Sequence, residues 1–76
     1  MRFVFNYVFN SVADAEKFGD FLKSDASKDK GIKAWNQIRA VYQVEVRHYA
    51  IDEFLDWVES LPVECDLLNA KAGMIQ

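Results

Sequence analysis

The stretch Ile38-Arg39-Ala40-Val41-Tyr42-Gln43-Val44-Glu45-Val46-Arg47-His48 decides the fold. It alternates strictly: Ile38, Ala40, Tyr42, Val44, Val46 and His48 share one side of an extended chain, and Gln37, Arg39, Val41, Gln43, Glu45 and Arg47 share the other. A two-residue period over this length is a strand with one buried face and one wet or partner-facing face. Extended character begins earlier, at Ile32. A strand over 32–48 would be longer than strands usually run; a tight turn near Asn36-Gln37 would split it into a hairpin, and one long strand is the equal alternative because the turn signal is weaker than Asn-Gly. Trp35 then falls at a loop-to-strand junction, where its ring either packs on the core or, the favoured reading, stays partly exposed as an interface anchor.

Outward from this stretch the other elements follow. Residues Arg2–Phe9 also alternate, with Phe3, Phe5, Tyr7 and Phe9 on one side and Val4, Asn6 and Val8 on the other. Both sides are largely apolar, which suits a central strand. Ser11 has the chemistry of a helix N-cap, with Asp14 three residues on. A helix to about Ser24 would bury Val12, Ala15, Phe18, Phe21 and Leu22, and Gly19 within it would permit close approach to the sheet. The polar run Ser24–Gly31 is a loop. Ile51, Phe54, Leu55, Val58 and Leu61 give the strongest helical spacing, over about Ala50–Leu61, and Pro62 ends it. Val63–Leu67 alternates as a short last strand. The rival reading is a third helix from Glu64 to Lys71, stopped by Gly73.

The order is therefore β-α-β-(β)-α-β in one α+β domain, residues 1–76. With the hairpin this is a two-layer, ferredoxin-like arrangement, an antiparallel sheet with two helices on one face. Its two central strands are the first strand and the one before the second helix.

The 76 residues are 51% hydrophobic and 28% charged, with three Gly and one Pro. That excludes a disordered chain and a collagen-like repeat. The single Cys65 cannot pair internally, which excludes a disulfide scaffold and fits a reducing, cytoplasmic setting. No apolar run approaches the roughly 18–20 residues that span a bilayer. Phe3–Phe9 followed by Ala13-Asp14-Ala15 imitates a signal segment, but Asn6 interrupts it and cleavage would cut into the helix, so the segment is expected to be retained.

The net charge of −3 is unevenly placed. Residues 1–48 carry eight basic groups against six acids, and residues 49–76 carry one, Lys71, against six. Asp52, Asp56 and Glu59 fall on one side of the second helix, opposite its apolar stripe, with Glu53 beside them. Like charges at i, i+4 disfavour a helix by a few tenths of a kcal/mol. This face is the first candidate site: a surface that docks on a basic partner protein, with Trp57 at its border as an anchor. The competing reading is a solvated helix face.

The second candidate is the helix-free sheet face with Arg39, Val41, Gln43, Glu45 and Arg47, a binder of single-stranded nucleic acid or a small ligand. The acidic balance and the lack of an RNA-recognition signature make nucleic acid the weaker choice. The same face carries Val41 and one side of the first strand, either Phe3, Phe5, Tyr7 and Phe9 or Val4 and Val8, and is expected to pair two copies as a homodimer, with Arg–Glu pairing setting its register; the competing account is that Asn6, Gln37, Gln43 and the charges keep the face wet and the chain a monomer. Chemistry is poorly served. His48 reads as a hydrogen-bonded residue on the apolar side of its strand. A Cys65–His48 pair has no supporting motif, and Glu64 and Asp66 disfavour the Cys65 thiolate. No phosphate loop, paired-Cys pattern or Ser elbow occurs. The expectation is a non-catalytic interaction module, a regulator or inhibitor, without cofactor or metal. In size, acidity and aromatic content, though on no motif, the chain is similar in style to small phage proteins that block host defence complexes such as CRISPR effectors.

Overall fold

The computed structural model describes residues 2–26 and 31–73. Four antiparallel strands form one open sheet: β1 (Arg2–Phe9), β2 (Ile32–Ile38), β3 (Val41–Arg47) and β4 (Cys65–Ala72). Their order is β2-β3-β1-β4, so the two strands richest in apolar residues, β1 and β3, lie side by side in the middle. Helices α1 (Val12–Phe21) and α2 (Ile51–Ser60) connect them. No described helix is long and apolar enough to cross a membrane.

Both helices lie on the same face of the sheet, and aromatic contacts show it directly. The Tyr7 ring meets Phe18 of α1 at 6.2 Å and Phe54 of α2 at 6.1 Å. Phe18 also packs on Phe9 and edge-on against Tyr42, while Phe54 packs on Phe5. Offset and edge-on rings at these separations add to what area burial alone contributes. Phe5, Tyr7, Phe9, Tyr42, Val44 and Val46 form the sheet's half of the core. The aromatic side of β1 is therefore the buried one, and alternation places Val4, Asn6 and Val8 on the helix-free side.

Helix α1 starts as the sequence dictates. Ser11 is extended at its cap, and its Oγ accepts from the Asp14 N–H at 3.2 Å. Ala15, Phe18, Gly19 and Leu22 are buried, whereas Val12, expected in the stripe, is exposed. The regular helix ends at Phe21, and residues Leu22–Ala26 widen into a π turn in place of a helix to Ser24. There the Ser24 hydroxyl donates to the Asp20 carbonyl, a back-bond that competes with the helical ladder. A Cβ built on Gly19 would overlap the Tyr42 hydroxyl, so glycine lets α1 sit close on β3. Of the loop expected over Ser24–Gly31, residues 27–30 lie outside the described residues. Helix α2 follows a short 3₁₀ turn, His48–Ala50, and ends where Leu61 turns extended (φ −76°, ψ 145°), the conformation a following proline imposes.

The hairpin exists, but its turn lies at Arg39-Ala40, not Asn36-Gln37. The loop has two residues, and Arg39 adopts φ 56°, a conformation usually left to Gly or Asn. The Gln37 side chain donates to the Arg39 carbonyl at 2.9 Å and the Phe9 N–H to the Ala40 carbonyl at 2.8 Å. These bonds hold a turn with no strong sequence signal. The shift reverses the phase of β2. Ile38 pairs with Val41 on the helix-free face, where it is 54% exposed, and is not on the core side with Tyr42. Trp35, opposite Val44 within β2, is half-buried against the core and is no junction residue. Cys65–Ala72 is the last strand, as favoured over a third helix, though it runs five residues beyond Leu67.

Candidate functional site

Helix α2 turns its apolar stripe inward and its carboxylates outward. Phe54 and Val58 are buried, and Asp52, Glu53, Asp56 and Glu59 are all exposed. The backbone accounts for only half of these acids. No side chain caps the N-terminus of α2, so Asp52 and Glu53 in the first turn complement its partial positive charge. Glu59 lies in the last turn, where negative charge is unfavourable and no basic residue balances it, and Asp56 stands mid-helix. Trp57 stands at the border. It is half-buried, with its ring 5.9 Å from Phe18 and 6.2 Å from Phe54, and so ties the two helices together.

A groove of about 520 Å³ opens between α2 and the start of β4. Leu55, Val58, Val63 and Tyr7 supply its apolar floor, Glu59 and Glu64 its acidic rim, and no basic side chain lines it; Asp66 also borders it, but its side chain alternates to the helix-free face with Val8. It exists because α2 is only ten residues long and Pro62 turns the chain away before the helix can cover β4. Leu67, whose partner across the ladder is the buried Tyr7, is consequently 48% exposed. Burial pushes the Tyr7 hydroxyl up to about 12, and negative charge at Cys65 and Glu59 adds to the effect. Burial likewise raises the Cys65 thiol, with Asp66 contributing. The expected suppression of the Cys65 thiolate is therefore present, but desolvation leads and Glu64 takes no part.

The helix-free face is ordered in rows. Ile38, Val41 and Val8 pair successively across β2, β3 and β1 and form an apolar row. The next row is carboxamide from edge to edge: Asn36, Gln43, Asn6 and Asn69, with the Asn6 amide donating to Asn69 Oδ1 at 2.7 Å. Beyond it Glu45, only 3% exposed, accepts from Arg2 at 3.1 Å. Of the five residues expected together here, Val41, Gln43, Glu45 and Arg47 share the face. Arg39 does not, because it forms the hairpin loop. Glu45 is engaged within the chain by Arg2, and the Arg47 guanidinium donates to the Tyr49 hydroxyl at 3.0 Å. None of the strand aromatics lies on this face. Phe3, Phe5, Tyr7, Phe9, Trp35 and Tyr42 all register with the helix side, so no ring is presented there for base stacking.

His48 is exposed at the start of the 3₁₀ turn and its ring lies beside Tyr49, so it is not on the apolar side of β3. The strand ended one residue earlier than alternation suggested. Cys65 pairs with Phe9 and Arg47 with Arg2, which puts Cys65 and His48 at opposite ends of β1, more than about 20 Å apart. They form no catalytic pair. Among the described residues no three of His, Cys, Asp and Glu converge as a metal site.

Sequence reasoning missed the groove and the amide row. The acidity of Glu64 was visible, but its meeting with Glu59 depends on how far α2 leaves β4 uncovered. The amide row needed the hairpin phase, which the misplaced turn concealed. Comparison with protein-family models, curated proteins and solved structures gives no match for this chain.

Proposed function

We propose that this chain is a small non-catalytic protein-binding module, a regulator or inhibitor, that docks the acidic side of α2 on a basic surface of a partner protein. One observation carries the reading. Asp56 and Glu59 are both exposed with no basic residue in the last turn, where Glu59 costs helix stability, and Glu59 continues into the acidic rim of the groove. A residue held against its own helix dipole fits a role outside it. A cytoplasmic address belongs to the same reading, supported by the lone Cys65. In finer fold terms we describe the topology as ferredoxin-like, supported by the element order and by β1 and β3 as central neighbours.

The test is a double reversal, Asp56→Lys with Glu59→Lys. Circular dichroism checks that the variant is folded, so that lost binding is read from folded protein alone. The partner is recovered with the tagged protein from its native host, and its affinity is measured for both forms. The reversal should weaken binding at least tenfold, and added salt should weaken wild-type binding. Equal affinity of the folded variant overturns the reading.

A second reading, homodimerisation through the helix-free face, is favoured by Ile38 and Leu68, 54% and 55% exposed beside Val8 and Val41. Sedimentation equilibrium at micromolar concentration should give about twice the 8.8 kDa chain mass. A mass near 8.8 kDa overturns it.

A further inference from the structure

We propose that the groove between α2 and β4 receives an extended segment of a partner protein, with lysine or arginine alternating with aliphatic residues, which adds as a fifth strand to the outer edge of β4. This rests on the protein-binding reading above and gives it a definite ligand class.

Three features of the structure meet at this place. The first is the edge. β4 is the last strand of the sheet, and among the described residues its outer side has no strand partner. Alternate N–H and C=O groups on either side of the break at Leu68 therefore point away from β1, and such an edge is a template for another chain. Natural sheets blunt long edges with charges or bulges. Here the register break lies between the partners of Asn6 and Tyr7, so the Cys65–Leu67 segment beside the groove keeps regular pairing with β1.

The second feature is the apolar floor. Leu55, Val58 and Val63 lie beside Cys65 and Leu67, two residues on the same side of β4. An added strand presents same-side residues about 6.6–6.8 Å apart, the same spacing, so two successive side chains from it would enter the groove. The third is charge. Glu59 and Glu64 rim the opening with no cation among the lining residues. Lysine or arginine stems suit the floor while their heads reach the carboxylates.

Together these choose the occupant. A small amine would use the rim and floor but leave the strand edge unsatisfied. Antiparallel pairing of β4 with β4 of a second copy would bring only one cation, Lys71, toward each acidic end, and its alanines leave the apolar floor unfilled. A basic, aliphatic, extended segment uses all three features, and strand addition is an established mode of peptide capture.

The probe is an acetylated, amidated ten-residue peptide of alternating lysine and valine, titrated into the ¹⁵N-labelled full chain. Outward-facing β4 amides should gain about tenfold or more in hydrogen-exchange protection, and the Leu55, Val58 and Glu59 resonances should move. Affinity should fall at least tenfold for the Glu59→Lys/Glu64→Lys variant, both positions being exposed and the fold checked by circular dichroism. It should fall similarly for a peptide N-methylated at alternate residues, which lacks the donors. Shifts confined to Asp52 and Asp56 with β4 unprotected would overturn strand addition while leaving α2 docking intact. Equal binding of the N-methylated peptide would overturn it too. No binding at millimolar peptide would overturn the groove assignment, and α2 docking would still stand or fall on its own charge-reversal test. Protection of β4 without peptide, with a doubled mass, would assign the edge to a second copy and overturn the proposal.

Discussion

Replacing Gly19 with alanine should destabilise the protein, against the usual direction for a glycine in a helix. Alanine in a helix interior is worth about 1 kcal/mol over glycine. Here the new Cβ would overlap the Tyr42 hydroxyl and approach Tyr42 Cζ to 3.1 Å. Tyr42 has little room to yield, because its ring is buried between Phe9 and Phe18, at centroid distances of 6.5 and 5.3 Å. Overpacking a core in this way costs about 1–3 kcal/mol. The balance is a net loss of up to about 2 kcal/mol, with each kcal/mol lowering Tm by about 4–8 °C in a domain this small. Tyr42→Phe deletes the overlapping oxygen. In that background Gly19→Ala should range from neutral to about 1 kcal/mol stabilising, a coupling of about 1–3 kcal/mol for residues in direct contact. Urea unfolding of the four members of this cycle, followed by tryptophan fluorescence, measures it. If Gly19→Ala stabilises by about 1 kcal/mol in both backgrounds, α1 does not sit on β3 as described.

Gly31→Ala should also destabilise, by about 1–3 kcal/mol, because Gly31 has φ +68° and its Cβ would collide with Ala50; thermal unfolding reads this. Arg2→Ala should cost about 1–2 kcal/mol in urea titrations, since Glu45 is almost fully buried while the Arg2 head still reaches water, which tempers the loss. The Tyr7 hydroxyl, pushed up to about 12, favours the folded state while protonated. Its contribution is present below about pH 10, the unfolded value, and is lost as pH rises toward 12. Tyr42 moves in the same direction. Urea midpoints should therefore fall above pH 10, less steeply in Tyr7→Phe, and an unchanged slope in that variant would contradict the placement of Tyr7.

Much of the fold was legible because its elements obey local rules. Strict alternation placed Arg2–Phe9, a serine cap started α1, and the 3-4 spacing from Ile51 to Val58 followed by Pro62 bounded α2. What failed was governed by tertiary contacts. The turn at Arg39-Ala40 carries neither Gly nor Asn. It is held by Gln37 and by the carbonyl of Ala40 receiving Phe9, contacts that only the folded sheet supplies. The error propagated to Ile38, Arg39 and Trp35, since moving a turn by an odd number of residues exchanges the faces of a strand. The acidic α2 face was legible from helical periodicity alone. The groove was not, because its existence depends on which part of the sheet a ten-residue helix leaves bare.

Chemical-shift mapping of the ¹⁵N-labelled chain with its recovered partner tests the central claim most directly. The account predicts that perturbed amides cluster at Asp52, Asp56 and Glu59 and extend to Glu64–Leu67, while Asn36, Gln43 and Val41 on the helix-free face stay unchanged. Perturbations centred on Asn36, Gln43 and Val41, with α2 silent, would contradict it.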